Sequence, residues 1–327
     1  MRYFEYSTFW TWSGVDLFFI LSGFLIGRSL LFNKASRNYF KTFYARRIFR
    51  IFPAYYLALL LFFILLLSGL SASFPWLMQD PCPLYSYVLY IQNFWMVNRS
   101  LGANWLAVTW SLAIEEQFYL ILPLLIFVLN EKHLVRVLLV CIVLAPVCRY
   151  LLSGLASYVM LPAQMDSLFT GVLLAYYYLN GKLKEVFTGK GKMLVTIMLL
   201  AFAIMTVLGA RKGGEEIGGT FIHSIILLLY GAFIILILTL EKDTWLIRFL
   251  STPILSFFSK ISYMAYLSHQ IISGLLHQLI LHHEPGINNM QGFLVTMLAL
   301  GVTILFSTLS YYYFEKPILN IGKRFKY

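Results

Sequence analysis

An all-α, polytopic integral membrane bundle is the fold class this chain predicts, and three observations carry that expectation. Of 327 residues, 60% are hydrophobic and only 12% charged, where a soluble domain carries about 25% charged residues. Aromatic residues reach 17%, with 22 Tyr, 28 Phe and 7 Trp, a composition suited to interfacial belts and aromatic-lined cavities. Long apolar runs recur from end to end, and a crossing of ~30 Å of hydrocarbon needs about 20 such residues.

Nine runs qualify as spans, near 14–32, 51–70, 110–129, 133–152, 166–181, 193–209, 221–240, 261–281 and 291–313. Segment 84–97 is apolar but short, and leads into Asn98, Arg99, Gly102 and Asn104. It reads as one interfacial or re-entrant piece. With no internal repeat, low-complexity tract or soluble stretch, residues 1–327 are expected to form a single membrane domain.

The formal charge of +11 does not point to nucleic acid, because most basic residues flank spans and so belong with membrane lipids. Loop 33–50 carries six of them and loop 180–192 four, and in all 19 of the 25 Lys and Arg fall on one side of a nine-span layout. The positive-inside rule makes that side the cytoplasm. The C-terminus is then inside and the N-terminus outside. Residues 1–13 show no cleavable signal, and a preceding helix would restore an inside start. Cys82, Cys141 and Cys148 make neither a disulfide framework nor a metal site.

Polar groups inside spans are the candidates for function, since a charge at mid-bilayer costs about 3 kcal/mol on insertion scales. Glu115 and Glu116 stand at the mouth of span 110–129. Neighbours on a helix lie about 100° apart, so the two cannot face one partner helix. Ser111 sits one turn before Glu115. Either the pair is solvated at the interface or it lines a polar site inside the bundle. Asp16 opens the first span, as a cap or as a site residue. Gly23 and Gly27, four apart, offer a small-residue face for close helix approach. Asp166 opens its span in the same way and is expected to cap it.

His269, beside Ser268 and Gln270, falls near the middle of span 261–281. It is either a helix–helix hydrogen-bonding group or a proton-transfer group, its ordinary pKa being about 6.5. His277, His282, His283 and Glu284 straddle a helix end without a recognised ligand spacing, so no metal is expected there. Arg46, Arg47 and Arg50 share one helix face at the cytoplasmic boundary. They are a positive-inside anchor or a bidentate cradle for a polyphosphate.

Several motifs, taken together, resemble the acyltransferase 3 family of membrane O-acyltransferases. They are GVDLFFILSGFLI at 14–26, RRIFRIFP at 46–53 and WSLAIEEQFYLILP at 110–123, which contributes Trp110 and Ser111. Weaker matches are MDSLFTGVLLA at 165–175, ISYMAYLSHQ at 261–270 and LSYYYFEKP at 309–317. They occur in the family's order and cover nearly the whole chain. The resemblance implies a multi-pass protein of a bacterial plasma or inner membrane. It implies transfer of an acyl group, usually acetyl, from cytoplasmic acyl-CoA to a hydroxyl of a surface glycan, a lipid-linked glycan or a related envelope acceptor. Acyl-CoA is then a donor substrate, and no tightly bound cofactor is expected.

Family members normally begin with a further helix carrying an Arg and, a few turns on, a His treated as the catalytic base. This chain starts just before the family's second helix. Truncation is the expected explanation, ahead of a degenerate protein or one using another base. On this reading Arg46, Arg47 and Arg50 hold the donor phosphates, with Trp110 and Ser111 as further substrate-binding residues. Glu116, Asp16 and Glu115 line the acceptor side, where Glu116 or Asp16 orients a base. His269 is the catalytic candidate within the chain. The rival functions are an inactive scaffold or sensor and a secondary transporter, although the repeated halves usual in transporters are not evident.

Overall fold

A computed structural model describes residues 13–98, 100–210 and 215–327, with backbone alone at 70, 71, 208–210 and 215–220. The described residues are mainly helical and contain no strand. Helices are the expected solution for a chain in lipid, because each satisfies its own backbone groups. Nine helices of 19 residues or more appear among them. They are α1 Gly14–Phe32, α2 Tyr39–Leu67, α3 Thr109–Val128, α4 Glu131–Leu152, α5 Leu161–Leu179, α6 Gly191–Ala210, α7 Glu215–Thr239, α8 Pro253–Leu281 and α9 Met290–Ser310.

Among the described residues seven helical stretches are both long and apolar enough to cross a membrane, and the chain is a multi-pass membrane protein. The expected count of nine spans is matched by nine long helices, but α6 and α8 fall short of that standard. The apolar part of α6 that can be assessed, Gly191–Val207, is short. At 29 residues α8 is long enough, but Ser, His, Gln and Lys interrupt it. Segment 84–97 forms two five-residue helices, Leu84–Val88 and Gln92–Met96, each only about 7–8 Å long at 1.5 Å per residue.

The chain forms two compact units. The first contains Ile114–Ser251 and the chain up to Ala35, hence α1, most of α3, and α4–α7. The second contains Ser36–Ala113 and Thr252–Tyr327, hence α2, the short helices, α8 and α9.

In the first unit, α1 and α5 touch backbone to backbone. A Cβ at Gly23 would strike the Leu168 carbonyl, one at Gly171 would strike the Ile20 carbonyl, and one at Gly27 would come within 3.1 Å of the Val172 Cα. The small-residue face of α1 is therefore used as its spacing predicts. Around this contact Ile20, Phe24, Leu174, Ala175, Leu183 and Ile234 form a buried core. Asn130 caps α4 by accepting from the His133 N–H at 3.0 Å.

In the second unit, aromatic residues do the anchoring. Tyr55 stacks on Tyr90 with ring centroids 4.4 Å apart, and its hydroxyl donates to the Tyr87 carbonyl at 2.9 Å. Burial and the neighbouring Cys82 push the Tyr87 phenol up, so it stays protonated. Gln92 Nε2 donates to the Thr109 carbonyl at 2.9 Å. Beyond α9, Tyr311–Glu315 winds as one π-helical turn. A last helix, Lys316–Gly322, brings Gly322 against the Phe49 ring of α2.

Candidate functional site

Three polar clusters lie inside the first unit, and each holds a carboxylate. Glu115 on α3 is buried at 3% exposure and accepts hydrogen bonds from Ser22 of α1 and, at 2.5 Å, from Tyr119. Tyr119 and Ser22 are themselves 2.8 Å apart. Glu116 is only half-buried, as the 100° between neighbours requires. For Glu115, internal hydrogen bonds replace the expected alternative of solvation at the interface.

The second cluster is Asp16 with a residue that sequence reasoning passed over. Asp16, 3% exposed, places Oδ1 3.0 Å from Nδ1 of His223 on α7. The imidazole is 15% exposed, and the Tyr158 ring centre lies 5.8 Å from its own. Helix α1 begins at Gly14, so Asp16 does sit in the first turn, but Ser13 makes no side-chain cap. A carboxylate on Nδ1 fixes the imidazole's orientation and leaves Nε2 for proton exchange. Asp16 and Ser22 are six residues apart, so the two clusters are offset by about 9 Å along α1.

The third cluster corrects an expectation. Asp166 does not cap a helix: α5 starts at Leu161, one turn earlier than its apolar run suggests, because Pro162 suits a first turn. Asp166 instead forms a bidentate pair with Arg149 of α4, at 2.9 and 2.5 Å, and both side chains are 1% exposed. The guanidinium also donates to the Ala163 carbonyl at 2.5 Å and to Ser224 at 3.0 Å. Ser224 and His223 are adjacent on α7, so this helix serves both aspartate clusters.

The second unit holds the remaining candidates. Ser111 on α3 lies 2.7 Å from the Tyr266 hydroxyl of α8, and His269 Nδ1 lies 2.8 Å from the Tyr266 carbonyl. Trp110 is buried, whereas His269 is exposed. Ser111 and His269 thus both contact Tyr266, but no carboxylate among the described residues is paired with His269.

The arginine face is partly occupied by the chain itself. Arg46 Nε donates to the Phe325 carbonyl at 3.0 Å, and its guanidinium covers the Tyr327 ring at 5.2 Å. Thr42 secures the same tail by donating to the Lys326 carbonyl at 2.9 Å. Arg50 is exposed and lies within electrostatic reach of Glu315 in the π-helical turn. The motifs at 46–53 and 309–317 therefore meet within this unit. Among the described residues no group of three or more His, Cys, Asp or Glu is arranged to hold a metal.

His223 and Arg149 escaped notice for one reason: both lie near span ends, where a polar residue reads as solvated. The available signal was that each has a carboxylate near the end of another span with which it can pair.

The profile of the acyltransferase domain, that of the acyltransferase 3 family, matches residues 2–312. The O-acetyltransferase OatA of Staphylococcus aureus, in strains NCTC 8325 and COL, is 26% identical over 336 residues, covering 94% of this chain and 53% of its own length. A protein of S. aureus strain COL named only as a candidate O-acetyltransferase is also 26% identical, over 335 residues with the same coverage. The chain thus spans about half the length of the curated relatives it matches. No solved structure matches significantly. With the profile covering nearly every residue, the chain belongs to the acyltransferase domain family, acyltransferase 3.

Proposed function

We propose that the protein is a membrane O-acyltransferase moving an acyl group, acetyl in the simplest case, from acyl-CoA to a hydroxyl of a cell-envelope glycan. The observation that carries this reading is the half-buried Asp16–His223 pair inside a chain of the acyltransferase domain family. His223 Nε2 takes the proton of the acceptor hydroxyl while Asp16 holds Nδ1 and stabilises the imidazolium. The hydroxyl oxygen attacks the thioester carbonyl, the C–S bond breaks, and the proton passes from His223 to the CoA sulfur. Product ester and free CoA thiol complete the balance.

The donor's phosphates fall to Arg47 and Arg50, with Arg46 holding the tail. Guanidinium groups suit this role because they bind phosphate bidentately. These residues belong to the most basic loop of the chain, which the positive-inside rule puts in the cytoplasm with the C-terminus. His269 is the alternative base.

The test supplies radiolabelled acetyl-CoA and a polysaccharide acceptor to membranes containing the protein and its His223→Gln and His269→Gln variants. Label should reach the acceptor, and His223→Gln should lower the rate by about 10²–10⁴-fold, the usual share of a general base. Transfer lost only in His269→Gln would move the base to α8. A wild-type protein that transfers nothing would sink the reading.

A further inference from the structure

We infer that the groove where α1 and α5 end binds the phosphate of an anionic phospholipid. Leu25, Arg28, Ser29 and Phe32 of α1 and its C-cap Asn33 enclose, with Leu179 of α5, a cavity of about 300 Å³. Its walls are apolar and open outward, with Leu25 58% and Phe32 77% exposed. Arg28 sits among them, exposed, on a helix apolar enough to cross the membrane.

An anion stabilises a guanidinium at such a position, because a charge in contact with lipid is costly unless it is paired or reaches the interface. The two ion pairs among the described residues, Arg149–Asp166 and His223–Asp16, do not include Arg28. Its described partner is the Tyr178 ring, 5.3 Å below the guanidinium carbon. Stacking covers the face of the group and leaves its in-plane N–H donors for bidentate contact with phosphate. Arg28 lies four residues before the end of α1, about 6 Å along the axis, and next to the chain's most basic loop. There Lys34 is already engaged, donating to the Leu129 carbonyl at 2.7 Å. Asn33 is likewise turned back on the Ser29 carbonyl at 2.8 Å. Arg28 is therefore the cation that lines the groove.

The combination selects the ligand. A free phosphate would satisfy Arg28 but leave the apolar walls uncovered, and a zwitterionic lipid would bring a second cation to the site. An anionic phospholipid places its phosphate on Arg28 and an acyl chain along Leu25 and Phe32. Basic pockets between membrane helices bind anionic headgroups by the same physics.

The inference is independent of acyl transfer and is tested without it. The full chain, purified in a neutral detergent, is titrated with phosphatidylglycerol or phosphatidylcholine of matched chains, and bound lipid is counted by native mass spectrometry. Phosphatidylglycerol should be retained at least tenfold better, and Arg28→Gln should abolish that preference while leaving phosphatidylcholine binding as it was. Phe32→Ser should weaken both lipids together. Should Arg28→Gln not fold, Arg28→Lys provides the second variant, keeping the charge, losing the stacked fork and binding phosphatidylglycerol several-fold less well. Equal retention of the two lipids by the wild type would overturn the inference. So would displacement of phosphatidylglycerol by millimolar inorganic phosphate, which would mark a simple anion site. Its stoichiometric displacement by acetyl-CoA would reassign the groove to the acyl donor and overturn it equally.

Discussion

Asp16 and Asp166 invite the same reading in sequence, each an acid at the start of an apolar run, yet the fold gives them opposite partners. Asp166 is clamped by the guanidinium of Arg149, and the pair is sealed at 1% exposure. Asp16 faces the imidazole of His223, which remains 15% exposed. A permanent charge pair can hold helices together but cannot move a proton. A carboxylate–imidazole pair can. On the proposed function, Asp166 belongs to a structural clamp and Asp16 to a chemical one within a single unit.

The largest effect should come from the sealed pair. Arg149→Met leaves Asp166 buried without its counter-charge, which typically costs about 3–5 kcal/mol. Thermal unfolding in detergent should show it as a steep fall in Tm or loss of the folded protein. The double variant Arg149→Met with Asp166→Leu should recover most of the loss. No recovery would mean that the pair does more than neutralise itself.

Asp16→Asn should behave differently: folding changes by only about 1 kcal/mol, as for one hydrogen bond, while acyl transfer falls by more than tenfold. If stability and transfer dropped together as in Arg149→Met, the division between the two aspartates would fail.

The helix contact beneath them gives a third, intermediate test. Gly171→Val drives a side chain into the Ile20 carbonyl and the Phe24 N–H of α1, and overpacking of this kind costs about 1–3 kcal/mol. Gly231→Ala on α7 meets nothing within 4 Å and should be neutral or stabilising by about 0.5–1 kcal/mol. Comparable losses of Tm in both would show that the contact between α1 and α5 is looser than its glycines indicate.

The smallest effect belongs to Tyr119→Phe, which removes one of the two hydroxyls on Glu115. About 1 kcal/mol of stability is at stake, and Ser22 still serves the carboxylate. A fall in Tm as large as that of Arg149→Met would make Glu115 a second structural clamp.

What was legible in the chain followed local physics. Apolar length located the nine helices, although α2 and α8 begin 12 and 8 residues before their expected spans, and the four-residue spacing of Gly23 and Gly27 foretold a close contact without naming α5. The 100° step between Glu115 and Glu116 foretold that the two would not face one partner helix. Pairings between distant helices were not legible. His223 lies 207 positions from Asp16, and Arg149 and Asp166 stand on different helices, so neither span alone carries the match. The tail that occupies Arg46 was hidden for the same reason. Three arginines on one helix face look alike until the fold gives one of them to the Phe325 carbonyl.

The π-helical turn at Tyr311–Glu315 bears on how this protein tolerates insertions and deletions. A π turn accommodates one residue more than an α turn over the same rise, so it acts as a stored single-residue insertion. Deleting one residue there would return the turn to α geometry and leave the residues beyond it in phase, with Gly322 still on Phe49 and the tail still on Arg46 and Thr42. Deleting one residue from the α-helical stretch on either side would instead turn everything downstream by about 100°, and the tail would lift from the arginine face.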